Sequence, residues 1–340
     1  MNDDELIEKV EALLDAEEAA DRFSGTVLLA REHEPILRAA RGFAIQPSVL
    51  RNGQDTQFNI ASVTKMLTAT AVVRLAANGQ LELHRPVAAY APALPHAEEV
   101  TVHQLLTHTA GFDRYWNDAY RAARSDLRSI AGYLGLFAGE PLLFAPGTSH
   151  HYGNSGYVLL GALIERITGR SYYEYMQEEI FQHVGMKDTG FHEMDLPMPN
   201  CAIGYTRENW FGPEDGRIRS NQFIYAVKGS PSEHCFSTVQ DLFLFLQAFQ
   251  AGQLMDAHHM ELCLTPHSPA EQPGVSYGYG FQIIDAGKHG RVIGHGGRAL
   301  GGDAFAVTYV DLRYTVIVLS NYDRPAARRV LNQIADMLIA

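Results

Sequence analysis

The sequence predicts an α+β fold: an antiparallel sheet flanked by N- and C-terminal helices, with a mostly helical domain inserted between its strands. Two observations predict it. Strand-like runs stand near both ends of the 340-residue chain, and a long block of short helical patterns separates them. The first and last segments are themselves helical, so the sheet is completed only when the final third of the chain folds back on the first. The expected division is a sheet domain from residues 1–79 and 231–340 and an inserted helical domain from 80–230.

Residues 3–20 read as an amphipathic helix, with Leu6, Val10, Leu13 and Leu14 on one face. Two strand-like runs follow, 25–30 and 35–42, joined by the charged stretch 31–34. After the short apolar run Phe58–Ile60 a helix begins near Ser62. Its repeat of Met66, Ala69, Val73 and Ala77 ends at Asn78-Gly79, a natural C-terminal cap. In the central block the clearest helix is 157–168, closed by Gly169. The stretch 196–225 has no clear period and carries Tyr205, Trp210, Phe211, Phe223 and Tyr225; loops this long are often functional. A helix from Val239 to Ala251 has Ser237, Thr238 or Asp241 as candidate caps. Strand-like runs return at 280–284, 303–310 and 314–320, the last two joined at hairpin length, before a final helix at 325–339.

The net charge is −12, from 27 Lys plus Arg against 39 Asp plus Glu. Such a surface repels phosphate backbones and anionic lipid, so neither nucleic acid nor membrane is an expected partner. No run reaches the roughly eighteen apolar residues of a membrane span, and no leader pattern precedes residue 10, so the chain reads as cytoplasmic. Cys201, Cys235 and Cys263 are odd in number and make no Cys-x-x-Cys pair; they read as reduced, buried thiols.

Three short motifs carry candidate chemistry. In Ser62-Val63-Thr64-Lys65, positions i and i+3 share a helix face, so an amine lies beside a hydroxyl at a helix start. A serine needs such a neighbouring base, and the helix terminus adds positive potential where negative charge develops. With 15 Ser and 5 Lys in the chain, chance supplies only about 0.2 such pairs. In Tyr152-Gly153-Asn154, a phenol near an ammonium can serve as general base, and the amide can bond both lysine and substrate. Tyr115-Trp116-Asn117 matches the same pattern; Tyr152 is preferred because a Pro-Gly turn precedes it and a helix opens after it. In His295-Gly296-Gly297, small residues in a strand admit a substrate backbone and expose a main-chain N–H as an oxyanion donor.

In this order, Ser62-x-x-Lys65, Tyr152-x-Asn154 and His295-x-Gly297 resemble class C β-lactamases, D-alanyl-D-alanine carboxypeptidases and esterases of the same fold. Phe58–Ala61, Gln104–Phe112, Ser237-Thr238 and Gly294–Gly297 extend the resemblance over about residues 20 to 320. The resemblance implies that Ser62 is acylated, that Lys65 helps deprotonate it, that Tyr152 relays protons to the leaving group and that Asn154 holds substrate. It implies an oxyanion hole from the N–H groups of Ser62 and Arg298. The expected reaction is hydrolysis of small or medium acyl esters, without a cofactor, on a small-molecule ester or amide substrate. β-Lactamase, carboxypeptidase, D-aminopeptidase and acyltransferase activities are the alternatives, as is an inactive binding protein on the same fold. One departure matters: the third motif usually carries Lys-Thr-Gly or His-Thr-Gly, whereas Gly296 has no hydroxyl and His295 replaces a lysine.

Other chemistries fit less well. No serine sits in Gly-x-Ser-x-Gly. Gly294-x-Gly296-x-x-Ala299 is followed by strand rather than helix, against a dinucleotide site. His150-His151 and His258-His259 have no metal-binding spacing, and His108 reads as a loop-fixing residue.

Overall fold

A computed structural model describes residues 2–198, 200–210, 212–213, 215–269 and 274–339; Phe211 lies outside them. Its centre is an eight-stranded antiparallel sheet. The strands are β1 (Gly25–Arg31), β2 (Glu34–Arg41), β3 (Ser268–Pro269), β4 (Val275–Tyr277), β5 (Gln282–Asp285), β6 (Arg291–Ala299), β7 (Gly302–Tyr309) and β8 (Tyr314–Ser320). They stand in the order β2-β1-β8-β7-β6-β5-β4-β3. The expected fold-back is therefore literal: β1 pairs along its whole length with β8, from Gly25 opposite Ser320 to Arg31 opposite Tyr314.

Both faces of the sheet are covered, which explains why its central strands are apolar without alternation. On one face, Val27, Leu29, Val316 and Val318 pack against α1 (Asp3–Ala19) and α10 (Ala326–Ile339) through Leu6, Val10, Val330 and Ile334. On the other, Leu28, Ile317 and Leu319 join α2 (Thr64–Ala77) and α8 (Val239–Gln250). The stretch between α2 and α8 holds α3 (Val102–Leu106), α4 (Asp118–Ala123), α5 (Ile130–Leu134), α6 (Ser155–Thr168) and α7 (Tyr172–Tyr175); α9 (Ala257–Leu264) follows α8. α2 and α6 belong to the same apolar cluster as the sheet, so one core runs through both parts of the chain.

Local signals set the helix ends. Gly169 closes α6 at φ +69°, in the left-handed region that glycine enters without strain. Of the three candidate caps before α8, Thr238 is the one that accepts from the Asp241 N–H. α9 and the full extent of β6 have no counterpart in the sequence pattern. β6 carries Gly294, Gly296 and Gly297, and its pairing with β5 and β7 makes it a strand where propensity would not. All three cysteines are free and buried.

Candidate active site

The chain reaches Ser62 through a tight bend. Ala61 adopts φ +45°, a left-handed conformation that costs a non-glycine residue energy, and its N–H is held by Asn59 Oδ1 at 2.9 Å. A 3₁₀ turn over Ala61–Val63 then feeds α2, where Thr64 Oγ1 donates to the Ala61 carbonyl at 2.6 Å. Three bonds staple the start of α2 to the segment 231–235. Lys65 Nζ donates to the Ser232 carbonyl at 2.9 Å, Thr68 Oγ1 donates to the Pro231 carbonyl at 2.7 Å, and the Cys235 N–H donates to Thr64 Oγ1 at 3.3 Å.

Lys65 is fully buried. Besides Ser232, its amine donates to Ser62 Oγ at 3.2 Å and to Asn154 Oδ1 at 2.8 Å. Burial pulls this amine down to about 7, opposed by the Glu233 carboxylate and assisted by the Arg114 charge. A substantial neutral fraction at physiological pH, with its lone pair beside a hydroxyl, is what proton removal from a serine requires.

The Tyr152 ring lies 4.8 Å from Lys65 Nζ. Its loop is fixed by His108, whose carbonyl accepts from the His151 N–H at 2.9 Å and whose Nδ1 accepts from the Gly153 N–H at 3.4 Å. His108 thus holds the loop, as its context suggests, and its ring packs 4.4 Å from that of Tyr152. Tyr115 occupies a different layer. Fully buried, its phenol donates to Glu233 Oε1 at 2.5 Å and lies within bonding distance of Ser230 and Ser232. Desolvation, with Glu233 beside it, pushes that phenol well up, away from any acid–base role at neutral pH.

β6 forms the opposite wall. A Cβ at Gly297 would stand 2.4 Å from the Ile60 carbonyl oxygen and 3.0 Å from the Ser62 nitrogen. Glycine there lets the strand back directly onto the Ser62 bend; Gly297 lies behind the serine, while Gly296 and Arg298 line the cleft. A Cβ at Gly296 would come within 2.4 Å of the Phe305 ring, over which the Arg324 and Arg328 guanidiniums lie at 5.1 and 5.0 Å from its centroid. The missing threonine hydroxyl of the third motif is therefore matched by a phenylalanine on the next strand. His295 Nδ1 donates to the Gly296 carbonyl at 2.6 Å and its Nε2 accepts from the Tyr277 phenol at 3.0 Å. Burial drives this imidazole down to about 3, so it is neutral at pH 7.

Ser62, Tyr152, Asn154, His295, Gly296 and Arg298 line one cleft of about 590 Å³. Of the aromatic stretch 205–225, Trp210 reaches this cleft and packs 5.1 Å from Trp116. Tyr225 packs on His234, and Phe223 is exposed. Ser232, Glu233 and Tyr277 complete the surroundings without having been visible in the motifs, and Trp116, the middle residue of the Tyr115 match, joins them. The tract Ser230-Pro-Ser-Glu-His carries no spacing that points to Lys65. Among the described residues, no three His, Cys, Asp or Glu side chains stand close enough to hold a metal, and no helix is long and apolar enough to cross a membrane.

A hydroxyl at a helix start, a buried amine against it, a phenol over that amine and a glycine-rich strand along the far wall define a class: serine hydrolases of the β-lactamase and transpeptidase fold. The comparisons agree. The family model for β-lactamases matches residues 9–340, and the chain belongs to that family. Penicillin-binding protein 4* of Bacillus subtilis is 27% identical over 315 residues, covering 88% of this chain and 68% of that protein. Esterase EstB of Burkholderia gladioli is 34% identical over 204 residues, or 55% of this chain and 52% of that one. The chain thus spans 52–68% of the length of these relatives. The penicillin-binding protein structure from Bacillus halodurans superposes with a TM-score of 0.87 at 29% identity, covering 95% of this chain and 98% of that one.

Proposed function

We propose that the protein is a serine esterase acting through an acyl-enzyme on Ser62, with small or medium acyl esters as substrates. The observation that carries the reading is the buried Lys65 amine, 3.2 Å from Ser62 Oγ. In this mechanism neutral Lys65 takes the hydroxyl proton as Ser62 attacks the ester carbonyl. The N–H groups of Ser62 and Arg298 receive the developing oxyanion. Asn154, whose Oδ1 is engaged by Lys65, offers its amide N–H to the substrate. Tyr152 passes a proton to the departing alkoxide, and water then reverses the sequence to release the acid.

Esters are favoured over β-lactams because a β-lactam brings a carboxylate whose desolvation must be offset by a cation or hydroxyl donors. His295 is neutral, and position 296 has no hydroxyl. The two guanidiniums beside the motif are already paired, Arg298 with Glu208 at 2.7 Å and Arg324 with Asp303 at 2.8 Å. The kinship with EstB points the same way.

The test is kcat/KM for p-nitrophenyl butyrate against nitrocefin on one preparation. The ester should be favoured by one to a few powers of ten, the size of one or two lost charge-assisted bonds of about 1.5–3 kcal/mol each. Ser62→Ala should abolish both activities, and Tyr152→Phe should lower ester kcat by roughly 10²–10⁴. Nitrocefin turnover equal to that of the ester overturns the esterase reading; ester turnover that survives Ser62→Ala overturns the acyl-enzyme.

A further inference from the structure

Glu233 is 4% exposed, yet its side chain lines the cleft beside Ser62. Its Oε1 accepts from the Tyr115 phenol at 2.5 Å and from the Trp116 indole N–H at 2.7 Å. Both donors, and the His234 ring 3.9 Å away, face that one oxygen; Oε2 accepts from no described protein group. Among the described residues, no lysine or arginine comes within 4.0 Å of the carboxylate. His234 is fully buried and its imidazole is driven down by that burial, so it brings no charge at neutral pH. Glu208, the other carboxylate of the cleft among the described residues, is by contrast bound to Arg298. The Lys65 amine feels this charge but, at about 7, is only partly protonated at neutral pH, so the carboxylate is incompletely compensated and a cation delivered by the substrate offsets the remaining cost.

The position selects which part of the substrate would carry that cation. Lys65 Nζ sits between two segments. Asn154 bonds it from the Tyr152 side and the Ser232 carbonyl bonds it from the Glu233 side. Tyr152 serves the leaving group in the mechanism above, so Glu233 stands with the acyl part. Trp116, which orients the carboxylate, and Trp210, tilted against it with ring centroids 5.1 Å apart, give that side an apolar wall. Such a wall strengthens a charge-assisted hydrogen bond made against it.

Resting on the acyl-enzyme reading of Ser62, we propose that Glu233 is a specificity-determining residue that receives an ammonium group on the acyl portion of the substrate. The preferred substrates are then esters, or activated amides, of amino acids with a free amino group.

The experiment compares p-nitrobenzyl esters of alanine, in both enantiomers, and of propionate at neutral pH, which differ only in the ammonium. The wild-type protein should favour one alanine enantiomer over propionate by about 10–100-fold in kcat/KM, the usual size of one charge-assisted hydrogen bond in a dry site. Glu233→Gln keeps an oxygen for Tyr115 and Trp116 but loses the charge. Its rate on the alanine ester should fall, and the alanine-to-propionate ratio should fall to within about threefold of one. A wild-type protein that cleaves propionate as fast as either alanine ester overturns the inference and leaves the esterase reading standing. A ratio that persists in Glu233→Gln overturns the assignment to this residue. If no ester is cleaved, the underlying reading fails and the inference with it. Should the variant not fold, the wild-type ratio decides.

Discussion

In the proposed mechanism Lys65 is the residue on which both rate and stability should turn with pH. Its amine titrates near 7 in the folded protein because it is buried, whereas an unfolded lysine titrates near 10.4. Raising the pH through 7 frees the lone pair, so kcat/KM for a neutral ester should climb with a midpoint near 7 and level off above it. Removing Glu233, whose charge favours the protonated amine, should move that midpoint to lower pH. The stability effect follows from linkage. Between the folded and unfolded values the unfolded chain binds more protons, so stability attributable to this group rises with pH. Its full cost stands below 7 and vanishes above about 10.4. The urea midpoint should therefore rise from pH 7 to pH 9 more steeply in the wild-type protein than in Lys65→Met; a parallel rise would refute the assignment. Ser62 and Lys65 were legible because a spacing of three on a helix is local information. Ser232, bonded to Lys65 across 167 residues, was not, because nothing near either residue encodes their meeting.

Between elements, the decisive contact is β6 against the Ser62 bend. Gly297→Ala would drive a methyl carbon into the Ile60 carbonyl, a backbone atom held by its own turn, so the strand must retreat from the serine. The retreat shifts the N–H of Arg298 relative to that of Ser62. The expected loss in kcat is roughly 10²–10³, the cost of one misplaced oxyanion donor. Far-UV circular dichroism should remain native, because β6 stays paired with β5 and β7; wild-type kcat in Gly297→Ala would show that the contact has slack. The same strand marks the limit of legibility among the elements. β1, β2, β7 and β8 are announced by apolar runs, whereas β6 is glycine-rich and becomes a strand only through its neighbours. Gly297 is explained by Ile60, Gly296 by Phe305 and Gly294 by the Ala306 carbonyl, all of which lie off the strand itself. The departure at Gly296 was visible as a missing hydroxyl, but its reason was not.

At the scale of the whole molecule, the sheet and the helical stretch share one apolar core that joins α2 and α6 to β7 and β8. Ester hydrolysis and far-UV ellipticity should accordingly vanish together in urea, since neither part can lose its packing alone. Two separated transitions would show that the parts are independent. The α+β class and the fold-back of the last third were readable from element order alone, because β2 takes one edge of β1 and only a returning strand could pair with the other. That pairing bears on synthesis. When β1 and β2 have left the ribosome, the free edge of β1 has no partner until β8 follows about 290 residues later. At 5–20 residues per second that is on the order of 15–60 s. For that interval Gly25–Arg31, a run with six buried positions in the finished sheet, offers its backbone to any strand that passes. The nascent chain thus depends on how soon its own end arrives, and slowed elongation through the middle of the message should appear as aggregation rather than as lower specific activity of the molecules that finish.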